Sequence, residues 1–137
     1  MKKLKQIAKI FTALIIIILP FILFPSKGFA VDYSIVDVKI DAYLQENGDV
    51  KVNESLTYHF DSKFNGITRE IIPKEGTSIK NLQATENGSK LVIEQDGYLY
   101  KIHRKGKDET ITVNIAYLIE NGVDKYLDIG EFYWPFF

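Results

Sequence analysis

The stretch VKVNESLTYHF, Val50 to Phe60, decides the fold class. Val50, Val52, Leu56, Tyr58 and Phe60 share one parity; Lys51, Asn53, Ser55, Thr57 and His59 hold the other. An extended chain turns successive side chains to opposite faces, so this alternation is that of a half-buried β-strand. One residue breaks it. Glu54 stands on the apolar parity, and a carboxylate in apolar surroundings must take up a proton or find a cation.

Reading outward, the period stays at two. In YSIVDVKIDAYLQ, Val36, Val38, Ile40, Ala42 and Leu44 alternate with Asp37, Lys39, Asp41, Tyr43 and Gln45. Asn47-Gly48 follows and predicts a two-residue turn with positive φ angles, which makes residues 35–60 a β-hairpin. DSKFNGITREIIPKEG, residues 61–76, reads as a loop with a short β-like ITREII in its middle. Strand signals resume with SIKNLQAT, turn at Asn87-Gly88, and continue as KLVIE, the turn QDG, YLYKIHR, the turn KGKDE, and TITVNIAYLIE. Asn121-Gly122 then precedes VDKYLDIGEFYWPFF. Short strands separated by frequent turns, with no segment of period 3.6, predict an all-β antiparallel sandwich, Ig- or fibronectin-like, filling residues 31–137. The last residues are dense in aromatics: Phe132, Tyr133, Trp134, Phe136 and Phe137. Chain ends are usually polar and frayed. Two readings follow: these rings fold back onto the sandwich, or the natural protein is longer and the domain is incomplete at its C-terminus; the second is preferred.

The N-terminus has a different character. MKKLKQIAK is basic, IFTALIIIILPFILF (Ile10 to Phe24) is apolar but for Thr12 and Pro20, and PSKGFA places Gly28 and Ala30 where a small-residue cleavage site needs them. These are the three parts of a secretory signal peptide, residues 1–30. The run is shorter than the ~20 residues of a spanning helix; an uncleaved N-terminal anchor is the alternative. The expected localisation is exported, on the extracytoplasmic face of the membrane or secreted. Residues 1–30 carry five of the 17 basic residues and none of the 18 acids, so residues 31–137 hold 12 basic against 18 acidic side chains. That balance, with no Lys/Arg cluster, argues against a nucleic-acid partner. The chain has no cysteine, which excludes a disulfide framework, a lipid-modified cysteine and a cysteine nucleophile.

Little else points to chemistry. His59 and His103 lie on different strands and fall short of the three or four ligands of a zinc site. Asp124, Asp128 and Glu131 lack the alternation and central glycine of a calcium loop. No glycine-rich phosphate loop is present, and no cofactor or metal is implied. Tyr98, Tyr100, Tyr133 and Trp134 are candidate ligand-facing aromatics, able to stack on a sugar. For Glu54, only Arg69 and Arg104 supply guanidinium groups in residues 31–137. Arg69 follows soon after Glu54, with Ile67, Ile71 and Ile72 to hold its segment against the sheet, so a structural Glu54–Arg69 ion pair is expected. A catalytic Glu54 would need a second acid or base beside it in a cleft; the sequence nominates none, and no enzymatic activity is expected.

The same residues carry a resemblance. DVKIDAYLQENGDVKVNESLTYHF followed by FNGITREIIP resembles the N-terminal extracytoplasmic domain of a bacterial predicted membrane protein family, domain of unknown function 2207. The matching positions are Gly48 and Asp49, Val52 and Glu54, Phe60, Gly66, Arg69, Ile72 and Pro73, then Ile115 and Tyr117, then Asp128, Glu131, Tyr133 and Trp134. They span about residues 33–134. The resemblance implies a longer protein with transmembrane helices beyond this domain, and no activity to carry over. The expected role is a non-catalytic extracytoplasmic interaction or sensor module of a cell-envelope protein, with membrane or cell-envelope components as partners. The alternatives are a cell-wall carbohydrate-binding module and a truncated product without independent function.

Overall fold

The structure, a computed structural model, describes residues 31–136; the expected signal helix lies outside the described residues. Eight strands follow in order: β1 Tyr33–Leu44, β2 Val50–Glu70, β3 Ser78–Glu86, β4 Ser89–Lys90, β5 Val92–Asp96, β6 Leu99–Glu120, β7 Val123–Lys125 and β8 Gly130–Phe132. All pairings are antiparallel. Six strands form one sheet in the order β1-β2-β6-β3-β4, with β5 also paired to β6, and β7 and β8 form a separate ribbon.

The two longest strands, β2 and β6, organise the fold. Their pairing runs from Val50 opposite Ile119 to Glu70 opposite Leu99, with register shifts between Phe60 and Lys63 and between Phe64 and Gly66. Side-chain atoms of Glu54 and Arg69, 15 residues apart on β2, approach to 2.8 Å. A straight strand would separate the two Cα atoms by about 50 Å. The strand therefore doubles back at its irregular middle, and the sheet folds over itself. Extra residues in a ladder bend a strand in this way and let it pass from one layer to another. One layer holds β1, the first half of β2, the second half of β6, and β3; the other holds the second half of β2, the first half of β6, and β5.

The core lies between these layers. Val50, Val52, Leu56, Tyr58 and Phe60 of β2 face inward beside Ile111, Val113, Ile115, Tyr117 and Ile119 of β6, and Phe64, Ile67, Ile71, Tyr100, Ile102 and Trp134 are buried with them. The fold is thus all-β and antiparallel, one six-stranded hydrogen-bonded sheet with a two-stranded ribbon beside it.

Several local expectations are corrected. Residues 61–70, read as loop, belong to β2, and KGKDE, read as a turn, lies inside β6. Their glycines serve close approach rather than chain reversal. A Cβ on Gly66 would sit 2.2 Å from the Ile102 carbonyl oxygen, and one on Gly106 would sit 2.5 Å from the Phe64 ring. Within a strand, glycine marks such a bend. The Asn47-Gly48 turn has three residues, not two: the N–H of Gln45 donates to the Asp49 carbonyl, the N–H of Gly48 donates to the Gln45 carbonyl, and of the loop residues only Gly48 has positive φ. In β1, a bulge between Ile35 and Asp37 puts Ile35 opposite Tyr58 and leaves Val36 outside the ladder, exposed. Asn87-Gly88 does form a two-residue turn, with φ of 49° and 80°.

Candidate functional site around Glu54

Glu54 is the buried charged residue among those described, its side chain 0% exposed. Its ladder neighbours are Ile40 on β1 and Ile115 on β6, so the carboxylate has apolar flanks and its partners must come from elsewhere. Folding of β2 provides the first. Arg69 Nε donates to Oε2 at 2.8 Å and Nη2 donates to Oε1 at 3.0 Å. Two parallel N–H···O bonds match the planar guanidinium to the planar carboxylate, the strongest geometry available to this pair. β6 provides the second partner. Tyr117 faces Val52, one diagonal step from Glu54, and its hydroxyl donates to Oε1 at 2.7 Å. No buried side-chain polar atom among the described residues lacks a partner.

Arg69 does more than pair. Nη1 donates to the Glu70 carbonyl at 3.2 Å, and Nη2 also donates to the carbonyl of Phe136, which ties the C-terminal segment to the cluster. Burial alone would lower the Arg69 guanidinium, but hydrogen bonding to Glu54 and its charge outweigh that and hold it above its ordinary value. Burial, reinforced by the Glu54 charge and hydrogen bond, pushes the Tyr117 phenol far above its usual range. Burial also raises Tyr58, against the opposing charge of Arg69. The cluster is a closed cation–anion–phenol set.

The other expected positions separate. Tyr98 sits exposed at the β5–β6 turn, and Tyr133 is 70% exposed. Tyr100 and Trp134 are corrected: at 6% and 8% exposure they are core, because Tyr100 shares the inner face with Ile102 and the chain after β8 returns to the sheet. Phe132 and Phe136 pack on the same core as Trp134, so these three rings fold back, while Phe137 lies outside the described residues. Ile72 is corrected too, exposed where Ile67 and Ile71 are buried. His59 and His103 lie near the surface, His59 Nε2 3.2 Å from Asp61 and His103 Nε2 3.4 Å from Glu94. Among the described residues no group of His, Asp and Glu could hold a metal ion.

Sequence reading missed three members of the polar interior. Tyr117 could have been found, because a tyrosine on an apolar strand face must satisfy its hydroxyl. The Phe136 carbonyl left no signal. Arg104, passed over as the second arginine, forks onto Glu86 at 2.8 and 3.0 Å and onto Glu109 at 2.6 and 2.9 Å, with its guanidinium 5.5 Å from the Phe64 ring centre. It ties β3 to β6 beside the bend.

Two depressions remain. A cleft of about 260 Å³ opens beside the start of β1, walled by Val31, Tyr33, Ile35, Tyr58, Phe60 and Ile67. A polar hollow on the opposite sheet face holds Asp41, Asn53, Gln83 and Asn114 around Ala116. Arg69 and Glu70 also line the first, where Arg69 is committed to Glu54, and Lys39 lines the second beside Asp41, its ion-pair partner. No helix among the described residues is long and apolar enough to cross a membrane.

The model of one family, described as predicted membrane protein (DUF2207) N-terminal domain, matches residues 34–137. No curated protein and no solved structure matches the chain significantly.

Proposed function

The chain belongs to the DUF2207 family of predicted membrane proteins, and from that premise we propose that it is a non-catalytic extracytoplasmic interaction or sensor module of a membrane-associated cell-envelope protein. The observation that carries this reading is the commitment of Glu54. Both of its oxygens are taken by Arg69, and Oε1 by Tyr117 as well. A general base needs a free lone pair within reach of a substrate proton, and a nucleophile needs an open approach; a fully covered side chain offers neither. The carboxylate instead fastens the two layers of a folded, sandwich-like sheet.

The basic, apolar and small-residue succession of residues 1–30 supports the extracytoplasmic side. Of the four aromatics considered for carbohydrate stacking, only Tyr98 and Tyr133 are exposed, which favours a protein or envelope partner over a sugar. The test is fractionation of the host cells, followed by protease treatment of intact cells. The reading expects the chain in the membrane fraction and cleaved from outside. A chain found in the cytoplasm and protected from protease would refute it.

A further inference from the structure

β1 is the longest open edge of the sheet among the described residues: 12 residues, against two in β4, five in β5, and the shorter one-sided stretches of β2 after its bend (63–70) and of β3 before β4 (78–84). An open edge shows a row of unpaired N–H and C=O groups and invites another strand. On β1 this row is bordered by exposed apolar side chains: Tyr33, Ile35, Val36, Val38 and Leu44. Which backbone groups are free follows from the turn. Gln45 directs its N–H and C=O into the hairpin, and hydrogen-bonded and non-hydrogen-bonded positions alternate along an antiparallel ladder. The register is unshifted from Asp37 to Leu44, so Val38, Ile40 and Ala42 turn their N–H and C=O to the open side.

Those three residues can pair with the same three of an identical strand. The charged residues between them select the register. Asp37, Lys39 and Asp41 share the outer face, with Lys39 Nζ 3.0 Å from Asp41. A two-fold axis at Lys39 would set Lys39 against itself and Asp37 against Asp41; like charges directly opposite are unfavourable. An axis at Val38 would run the ladder into the bulge at Val36. An axis at Ile40 does neither. We propose that β1 pairs antiparallel with β1 of a second copy about a two-fold axis at Ile40, placing Lys39 opposite the partner's Asp41 twice, with Ile40 opposite the partner's Ile40 and Val38 opposite the partner's Ala42. The ladder runs from Asp37 to Tyr43. Bounded by the bulge at one end and the hairpin loop at the other, it closes as an isologous pair rather than a filament. The proposal names the partner for the interaction-module reading; a membrane-resident monomer would overturn the dimer and leave that reading standing.

The absence of cysteine makes the test direct. Lys39 and the partner's Asp41 would form a non-hydrogen-bonded pair with Cα atoms about 4.5 Å apart, close enough for a disulfide. Full-length Lys39→Cys and Asp41→Cys chains are mixed in detergent and mildly oxidised. The mixture leaves one Lys39–Asp41 pair intact and is expected to cross-link 39 to 41 at least about tenfold faster than either variant cross-links to itself. Equal rates, or no cross-link, would overturn the proposal and give the edge to a strand from another protein. Charge variants separate this contact from association through the N-terminal segment. Lys39→Glu should weaken dimerisation by about tenfold, and the exchange Lys39→Asp with Asp41→Lys should restore it. Dimers indifferent to both changes would be held elsewhere and would also refute it.

Discussion

Glu54 and Arg69 illustrate why a buried ion pair costs more to break than it contributes when whole. Taking both charges out of water is expensive, and the fork plus the Tyr117 hydroxyl roughly offset that expense. Removing one partner strands the other. Arg69→Ala, which leaves the covered Glu54 carboxylate without its cation, should cost about 3–5 kcal/mol in denaturant unfolding. Tyr117→Phe removes one hydrogen bond to a charged acceptor and should cost about 1.5–3 kcal/mol. It should also change the alkaline limb. The folded-state value of Tyr117 is raised above the unfolded value of about 10, so above that pH the unfolded chain releases a proton that the native state keeps. Stability is then full below about pH 10 and falls as pH rises beyond it. Tyr117→Phe should lower the proton release by up to one, leaving Tyr58 and Tyr100, also raised by burial, to account for the remainder. Parity alone singled out Glu54, and the scarcity of arginine nominated Arg69. Tyr117 escaped because it was counted as one more apolar position, without asking where its hydroxyl would bond.

At the scale of elements, the bend in β2 and β6 creates the cluster, because it carries Arg69 over Glu54. Gly66 is the position with no alternative. Its φ of 153° and the 2.2 Å approach of the Ile102 carbonyl to any Cβ leave nowhere for a side chain. Gly66→Ala should therefore lower stability by at least about 1–3 kcal/mol. Gly76→Ala, whose Cβ would meet nothing within 4 Å, should lose less, through its positive φ alone; thermal melts of both variants compare the two. This bend was illegible in the sequence. The glycines of FNG and KGK, the first beside an asparagine, look like turns, because turn chemistry and bend chemistry use the same residues. Only the pairing of the two segments, Phe64 opposite Gly106 and Gly66 opposite His103, separates a corner in a continuous ladder from a reversal of the chain. The β1–β2 hairpin was legible because its alternation and its turn signal agree.

For the whole molecule, the cluster joins three parts of the chain: both layers of the sheet and the C-terminal segment, held through the Phe136 carbonyl. The single tryptophan, Trp134, lies two residues away in the core, which makes it a reporter of that docking. Arg69→Ala should shift its emission to the red in buffer without denaturant, whereas Lys101→Ala, an exposed ion-pair change, should leave it in place. The aromatic density of this segment was plain in the sequence, but its destination was not, since apolar residues at a chain end fit a core or a continuation equally well. The account stands on the claim that Glu54 and Arg69 form a structural unit rather than a catalytic acid and its neighbour. A double-mutant cycle on denaturant unfolding, with Glu54→Leu, Arg69→Met and the two together, tests it most directly. The claim predicts a loss of about 3–5 kcal/mol in each single variant and recovery of most of it in the double, where no charge is left stranded. Small losses that simply add would contradict it.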